Sequence, residues 1–286
     1  MKKSIYALLI LVLCAISGYQ ISEYIPTQTD TQGKLAVSFI DVGQGDSTFI
    51  EFPGGKTALI DAGEADYSET VIAYLQSRQC KTIDYVICTH PHSDHIGGMA
   101  EVLTSFDIGE IYMPRAPHTT NTYERLLLAV QNKGLTIHTA KAGVTISVEP
   151  EVTMTMVAPN AESYEEMNDY SAVVRLTYGD NAFLFTGDAE TVSEKEILDS
   201  GQSLGADVLK VGHHGSSTST HKNFLKAVAP SYAVISCGDG NDYGHPHNVI
   251  VNRLENCGAQ IYRTDLHGTV LAISDGNRIA FVTEEE

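Results

Sequence analysis

From residue 34 onward, short apolar runs alternate with polar, glycine-bearing turns, the pattern of closely spaced strands. Residues 35–42, 47–52 and 57–61 read as strands, parted by Gly43-Gln44-Gly45 and Pro53-Gly54-Gly55. A helix is predicted over 66–79, because Val71, Ile72 and Leu75 fall on one of its faces. A strand over 83–88, a histidine-rich loop, a helix carrying Met99, Val102 and Leu103, a strand over 108–113 and a helix over 122–132 follow. The second half repeats the style. Strands are predicted over 152–157, 172–178, 182–186, 208–211 and 232–236, and helices over 191–198, 222–228 and 249–256, before closing strands. Two β-rich halves, each carrying helices, predict an α/β fold of two sheets packed face to face with helices outside.

The N-terminus departs from this pattern. Lys2 and Lys3 precede an apolar stretch over 5–16, and Ala15-Ile16-Ser17 fits a small-x-small cleavage site. Residues 1–17 therefore read as a signal peptide or short membrane anchor, and 18–33 as a polar linker. Both place the remainder outside the cytoplasm, with membrane association through the N-terminus in the anchored case. Cys14 has bulky Leu13 where a lipidation motif needs a small residue. Cys88 and Cys237 sit in apolar runs and read as buried thiols, while Cys80 and Cys257 lie near helix ends. In an exported chain any pair could bridge, and spacing selects none.

With 43% apolar residues the chain can build a sizeable core. Its 36 acidic against 18 basic residues oppose long-range attraction to nucleic acid. Residues 205–267 nevertheless gather Lys210, Lys222, Lys226, Arg253 and Arg263 with six of the 11 histidines. That patch suits end-on attack on a strand rather than extensive duplex binding.

The strongest chemical signal is Thr89-His90-Pro91-His92-Ser93-Asp94-His95-Ile96-Gly97-Gly98, directly after an apolar strand. Pro91 keeps the segment extended. His90 and His92 then point to one side, and Asp94 and His95 turn toward a second point. Imidazole with carboxylate is the ligand set of zinc, manganese and iron.

Other candidates carry two readings each. Lys210 interrupts Val208-Leu209-Lys210-Val211 and needs a partner if buried: either a salt bridge to Asp188 or Asp207, or a substrate phosphate. Asp41, Gln44 and Asp46 lie in a glycine-rich turn and either border the metals or serve the turn. Asp61 either orients a ligand histidine or caps its turn. His245 and His247 flank Pro246; His245 reaches a leaving-group oxygen and His247 the substrate, or both cap a helix. Ser216 and Ser217 contact phosphate or form a solvated loop. His118 and His138 lack ligand spacing. No nucleophile elbow, P-loop or dinucleotide fingerprint occurs.

The His-x-His-x-Asp-His run resembles the hallmark of metallo-β-lactamase-fold hydrolases. The resemblance extends through Phe39-Ile40-Asp41-Val42-Gly43-Gln44-Gly45-Asp46, Leu59-Ile60-Asp61-Ala62-Gly63, Asn168-Asp169-Tyr170-Ser171, Thr186-Gly187-Asp188, Lys210-Val211-Gly212-His213-His214-Gly215-Ser216 and Gly244-His245-Pro246-His247. The set is similar to the extracytoplasmic hydrolase domain of ComEC-type DNA-uptake competence proteins. It implies an αββα metallo-β-lactamase sandwich over 34–286. It also implies two divalent cations, zinc or manganese: His90 and His92 on one, Asp94 and His95 on the other, Asp188 bridging, and His213 completing the second site with His214 beside it. Asp94 would also orient the attacking hydroxide. Many such hydrolases have a further histidine about twenty residues before the bridging aspartate. Here Asn168 and Asp169 occupy that stretch, as substrate contacts or as oxygen donors that favour manganese.

The implied activity is hydrolysis of a phosphodiester, foremost DNA, with single-stranded DNA as one candidate form. The alternatives are phosphoesters of cell-wall polymers or phosphorylcholine groups, and lactams or lactones. No protein partner is inferable.

Overall fold

The computed structural model describes residues 31–285. The predicted leader over 1–17 and most of the linker over 18–33 lie outside the described residues.

The first half contributes strands β1 (Leu35–Phe39), β2 (Thr48–Glu51), β3 (Thr57–Ile60), β4 (Thr82–Ile87), β5 (Asp107–Met113) and β6 (Ile137–Thr139). Its helices are α1 (Ser68–Ser77), α2 (Ser93–Ile96), α3 (Met99–Ser105) and α4 (Asn121–Asn132). The second half adds β7 (Thr145–Glu149), β8 (Val152–Ala158), β9 (Val173–Tyr178), β10 (Asn181–Phe185), β11 (Val208–Lys210), β12 (Tyr232–Ile235) and β13 (Gln260–Arg263). Its helices are α5 (Thr191–Asp199), α6 (Lys222–Val228), α7 (Asn248–Asn256) and α8 (Thr264–His267), and β14 (Val270–Ser274) and β15 (Ile279–Thr283) close the chain.

Eight strands form one sheet in the order β15-β14-β1-β2-β3-β4-β5-β6, and seven form the other in the order β13-β12-β11-β10-β9-β8-β7. In both, an antiparallel portion gives way to a parallel one, over β3 to β6 and β10 to β13. Parallel neighbours need crossovers, and helices supply most of them.

Strand alternation decides which layer each side chain joins. Along β3, Ala58 and Ile60 enter the core between the sheets, while Leu59 faces the helices. Along β10, Phe183 and Phe185 face inward and Leu184 outward. Val71, Leu75, Met99, Leu103 and Leu126 cover the outer face of the first sheet. Ile197, Phe224, Leu225, Ile250 and Leu254 cover that of the second. Full burial of each such side chain contributes about 1.5–3 kcal/mol. The result is the four-layered αββα sandwich expected from the sequence.

Differences lie at the edges. The first predicted strand stops at Phe39, because the chain turns at Asp41 to bring Asp46 back beside Asp94. The helix predicted from 66 begins with a 3-10 turn, Ala65–Tyr67. Strands β6 and β7 were not anticipated from the sequence. Of the cysteines, Cys88 and Cys237 are buried as predicted, and all four described thiols are free.

Candidate metal centre

The chemistry-bearing residues gather beyond the C-terminal ends of β4, β10 and β11, where parallel sheets collect ligands. After β4, the Thr89 amide and hydroxyl donate to the two oxygens of Asp61 at 2.8 and 2.6 Å, which locks the entry to the histidine loop. The turn before β2 closes over the loop: the Asp46 amide donates to the Asp94 carbonyl at 3.0 Å. A Cβ on Gly45 would stand 2.4 Å from that carbonyl, so only glycine fits there. After β10, the Asp188 amide donates to Ser171 Oγ at 3.1 Å. After β11, His213 (φ 48°) and His214 (φ 54°) are consecutive left-handed residues. Such conformations cost about 1–3 kcal/mol each and cluster at functional sites.

One ligand atom each from Asp94, His95, Asp188 and His214 lies within 4.8 Å of the others. His95 Nε2 is 3.2 Å from Asp188 Oδ1, and His214 Nε2 is 3.2 Å from Asp94 Oδ2 and 3.5 Å from Asp188 Oδ2. Both imidazoles are aimed from behind. Asp61 Oδ2 accepts from His95 Nδ1 at 2.8 Å. The Ser236 carbonyl accepts from His214 Nδ1 at 3.0 Å, with Asp46 Oδ1 at 3.3 Å. A carboxylate or carbonyl behind a histidine fixes its tautomer and turns the other nitrogen to the ligand side.

Beside this group, His90 Nε2 and His92 Nδ1 are 3.0 Å apart. That is near the separation of roughly 3.3 Å between two nitrogens sharing a tetrahedral ion at 2.0–2.1 Å. Asp188 Oδ2 lies 3.9 Å from His90 Nε2, so Asp188 stands between the two groups.

The residues fit divalent cations. His95 Nε2 and Asp188 Oδ1 are buried and make no hydrogen bond. With Asp46 paired to the buried Lys210 ammonium, three further carboxylates, those of Asp61, Asp94 and Asp188, face the buried imidazoles of His95 and His214, an excess of negative charge that a cation offsets. Protonation reflects the imbalance. Burial opposes charge on His95 and His214, yet the surrounding carboxylates, Asp188 foremost, hold both well above the ordinary histidine range. Burial pushes the Asp188 carboxyl up, but His95 and His214 hold it well below its usual value. His90, with less carboxylate around it, is driven well below by burial.

Several predicted residues stand elsewhere than expected. His213 and His214 exchange places: His214, 1% exposed, joins Asp94 and His95, while His213 lies to the side with Nε2 3.6 Å from Asp188 Oδ2. The left-handed backbone at both residues, which no spacing rule anticipates, produces the exchange. Lys210 is 2% exposed and pairs with Asp46 Oδ1 at 2.8 Å, not with Asp188, Asp207 or the cavity. Asp46 is thereby committed to Lys210 and His214 rather than to substrate. Burial raises the Asp46 carboxyl, but Lys210 and His214 bring it down to about 2.

Asp41 accepts from the Gly43 amide, as a turn residue does. Asp169 accepts from the Glu190 and Ser193 amides at the start of α5. Ser216 bonds to Thr218, and His247 Nδ1 accepts from the Ser217 amide. Gln44, Asn168 and His245 do line a cavity of about 330 Å³ with His92, Asp94, Asp188, His213 and His214. Tyr243 and Ser93 complete its wall. Tyr243 and Glu190 were not singled out from the sequence; an exposed tyrosine and an acidic helix start carry no local signal.

The family model described as Metallo-beta-lactamase superfamily matches residues 40–239. ComE operon protein 3 of Bacillus subtilis is 30% identical over 82% of this chain and 32% of its own length. Competence protein ComA of Neisseria gonorrhoeae is 30% identical over 84% of this chain and 32% of its own. The chain thus spans about a third of the length of these relatives. The metallo-β-lactamase fold protein YhfI from Bacillus subtilis superposes with a TM-score of 0.53 at 15% identity, covering 80% of this chain and 95% of that one. By the matched family model, with the αββα layers and the clustered histidines and aspartates behind it, the chain belongs to the metallo-β-lactamase superfamily of metal-dependent hydrolases.

Proposed function

We propose that this chain is a two-cation phosphodiesterase that works outside the cytoplasm on DNA, with single-stranded ends as the form that fits. The observation that carries the reading is Asp188: Oδ1 faces His95, while Oδ2 faces His90, His213 and His214. One buried carboxylate placed between two ligand groups suits a bridging role. In such a pair the cations supply Lewis acidity to a phosphoryl oxygen and make a nucleophile of water near neutral pH.

The chain's own residues supply position. Asp61 and Asp46 keep the lone pairs of His95 and His214 inward, and Asp94 brings a carboxylate to the cavity wall. Burial and the neighbouring histidines lower His245 to about 4. It is therefore neutral at pH 7, and its ring can hydrogen-bond a leaving-group oxygen without adding positive charge. Tyr243 lies 68% exposed at the rim and stacks on His245 at 20°, which leaves a ring face for a base.

The cavity volume suits a nucleotide better than a duplex. Similarity to two competence proteins supports DNA as substrate, and the basic, apolar and small-residue order of positions 1–17 supports export. Among the described residues no helix is long and apolar enough to cross a membrane.

A panel assay with Mn²⁺ or Zn²⁺ tests the reading on single-stranded DNA, bis-p-nitrophenyl phosphate, phosphorylcholine esters and nitrocefin. Both phosphodiesters are expected to turn over. Asp188→Asn is expected to lose more than about a hundredfold, beyond the 10- to 100-fold typical of losing a group behind a ligand. Turnover confined to nitrocefin or to phosphorylcholine esters, or wild-type activity in Asp188→Asn, contradicts the proposal.

A further inference from the structure

His90, His92 and one oxygen of Asp188 make three donors, whereas zinc and manganese sites take four to six. The Asp94 group already has four. Water can take one position on a catalytic ion, and any further protein donor to the His90 group has to come from the remaining wall of the cavity. Two side chains there, Asn168 and His213, share one unusual feature: both are held by Glu190.

Glu190 Oε1 accepts from Asn168 Nδ2 at 3.2 Å, from His213 Nδ1 at 2.9 Å and from Thr218 Oγ1 at 2.8 Å. Each contact fixes an orientation. With its amide nitrogen on Glu190, Asn168 turns Oδ1 the other way, and that oxygen is buried without a hydrogen-bond partner. A buried, unpartnered amide oxygen in an otherwise satisfied loop calls for a ligand. With Nδ1 on Glu190, His213 turns Nε2 toward Asp188 Oδ2 at 3.6 Å. This repeats the arrangement of Asp61 behind His95.

The segment bearing Asn168 is fastened to the segment bearing His90. The Ala172 amide donates to the Thr89 carbonyl at 2.9 Å, and Ser171 Oγ lies 3.4 Å from His90 Nδ1. Glu190 itself cannot drift: Asp169, two residues from Ser171, accepts from the Glu190 amide at 3.2 Å.

We infer that Asn168 Oδ1 is the oxygen ligand that completes the His90–His92 site, that His213 stands next to Asn168 with Nδ1 3.5 Å from its amide nitrogen, and that Glu190 is the positioning residue for both. The inference rests on the two-cation reading above. An oxygen in that place makes the site harder than one with a third imidazole there, so it favours Mn²⁺ over Zn²⁺ relative to a site with histidine in place of Asn168.

Metal binding tests this without substrate. Wild type, Asn168→Ala, Asn168→His and Glu190→Gln, each full-length, are dialysed against Mn²⁺ or Zn²⁺, and bound metal is measured by elemental analysis. Circular dichroism verifies the fold. Wild type is expected to hold two ions. Asn168→Ala keeps one and loses the other. Glu190→Gln weakens one ion by about 10- to 100-fold, the usual effect of removing a group behind a ligand. Asn168→His regains two ions and shifts the ratio of Zn²⁺ to Mn²⁺ affinity at the weaker site upward by about tenfold or more. If Asn168→Ala does not fold, Asn168→His and Glu190→Gln carry the test alone. Two ions of wild-type affinity in both Glu190→Gln and Asn168→Ala, or an unchanged metal preference in Asn168→His, overturn the assignment and leave the two-cation reading standing. A wild type that holds one ion or none overturns both.

Discussion

Lys210 stands behind the metal centre rather than in it. Its ammonium meets Asp46 at 2.8 Å inside the protein, and Asp46 in turn faces His214 Nδ1 at 3.3 Å. Removing one partner of a buried pair leaves an uncompensated charge and costs about 3–5 kcal/mol. Lys210→Met is therefore expected to lower the free energy of unfolding by about that amount in urea titrations, and Lys210→Met with Asp46→Asn to recover part of the loss. Because the ammonium does not reach the cavity, folded Lys210→Met should change turnover of every substrate of the panel that the wild type accepts by a similar factor, whatever the substrate's charge. A stable variant impaired on phosphate substrates alone would contradict this role. The sequence marked Lys210 as anomalous, since a lysine in an apolar strand needs a partner. It could not name Asp46, which lies far away in the chain and arrives through a turn. The His-x-His-x-Asp-His run was legible because its ligands are adjacent. The order of His213 and His214 was not, because two left-handed residues in succession reverse which imidazole points inward.

At the scale of elements, α5 is tied to the loop before α6 by one buried acid. Glu194 accepts from the Thr220 and His221 amides. Burial nevertheless pushes its carboxyl up from 4.5 to about 7, against those hydrogen bonds. The sign follows from linkage. With a folded value above the unfolded one, the contribution is fully present below about pH 4.5 and is lost as pH rises through 7. Relative to Glu194→Gln, the wild type should lose on the order of 1–3 kcal/mol between those pH values, read as the difference between urea midpoints. A difference that stays flat across the range would contradict it. Strands β9 and β10 were visible in the sequence because they are mostly buried and read as short, largely apolar runs. Strand β6 has three residues with no buried side chain, and β7 buries only Ile146 and Val148. Neither stands out from the surrounding loop until its neighbour pairs with it.

For the whole molecule, the charge balance limits what the centre can meet. Of the basic residues gathered in the second half, Lys210 is committed to Asp46 and Arg263 to Asp265, while Lys222, Lys226 and Arg253 line a separate surface cavity. An acidic chain with so small a basic surface suits a strand end entering the cavity more than a duplex wrapped around it. The chain also spans about a third of the length of ComE operon protein 3 and competence protein ComA, so what those whole proteins do does not carry over with the fold. At the proposed centre of this chain two cations share Asp188. Anomalous diffraction from crystals grown with Mn²⁺ tests it most directly. Two peaks are expected about 3.5–4 Å apart, one beside His90 and His92, the other among Asp94, His95 and His214, with the Asp188 carboxylate between them. A single peak, or none within reach of Asp188, would contradict it.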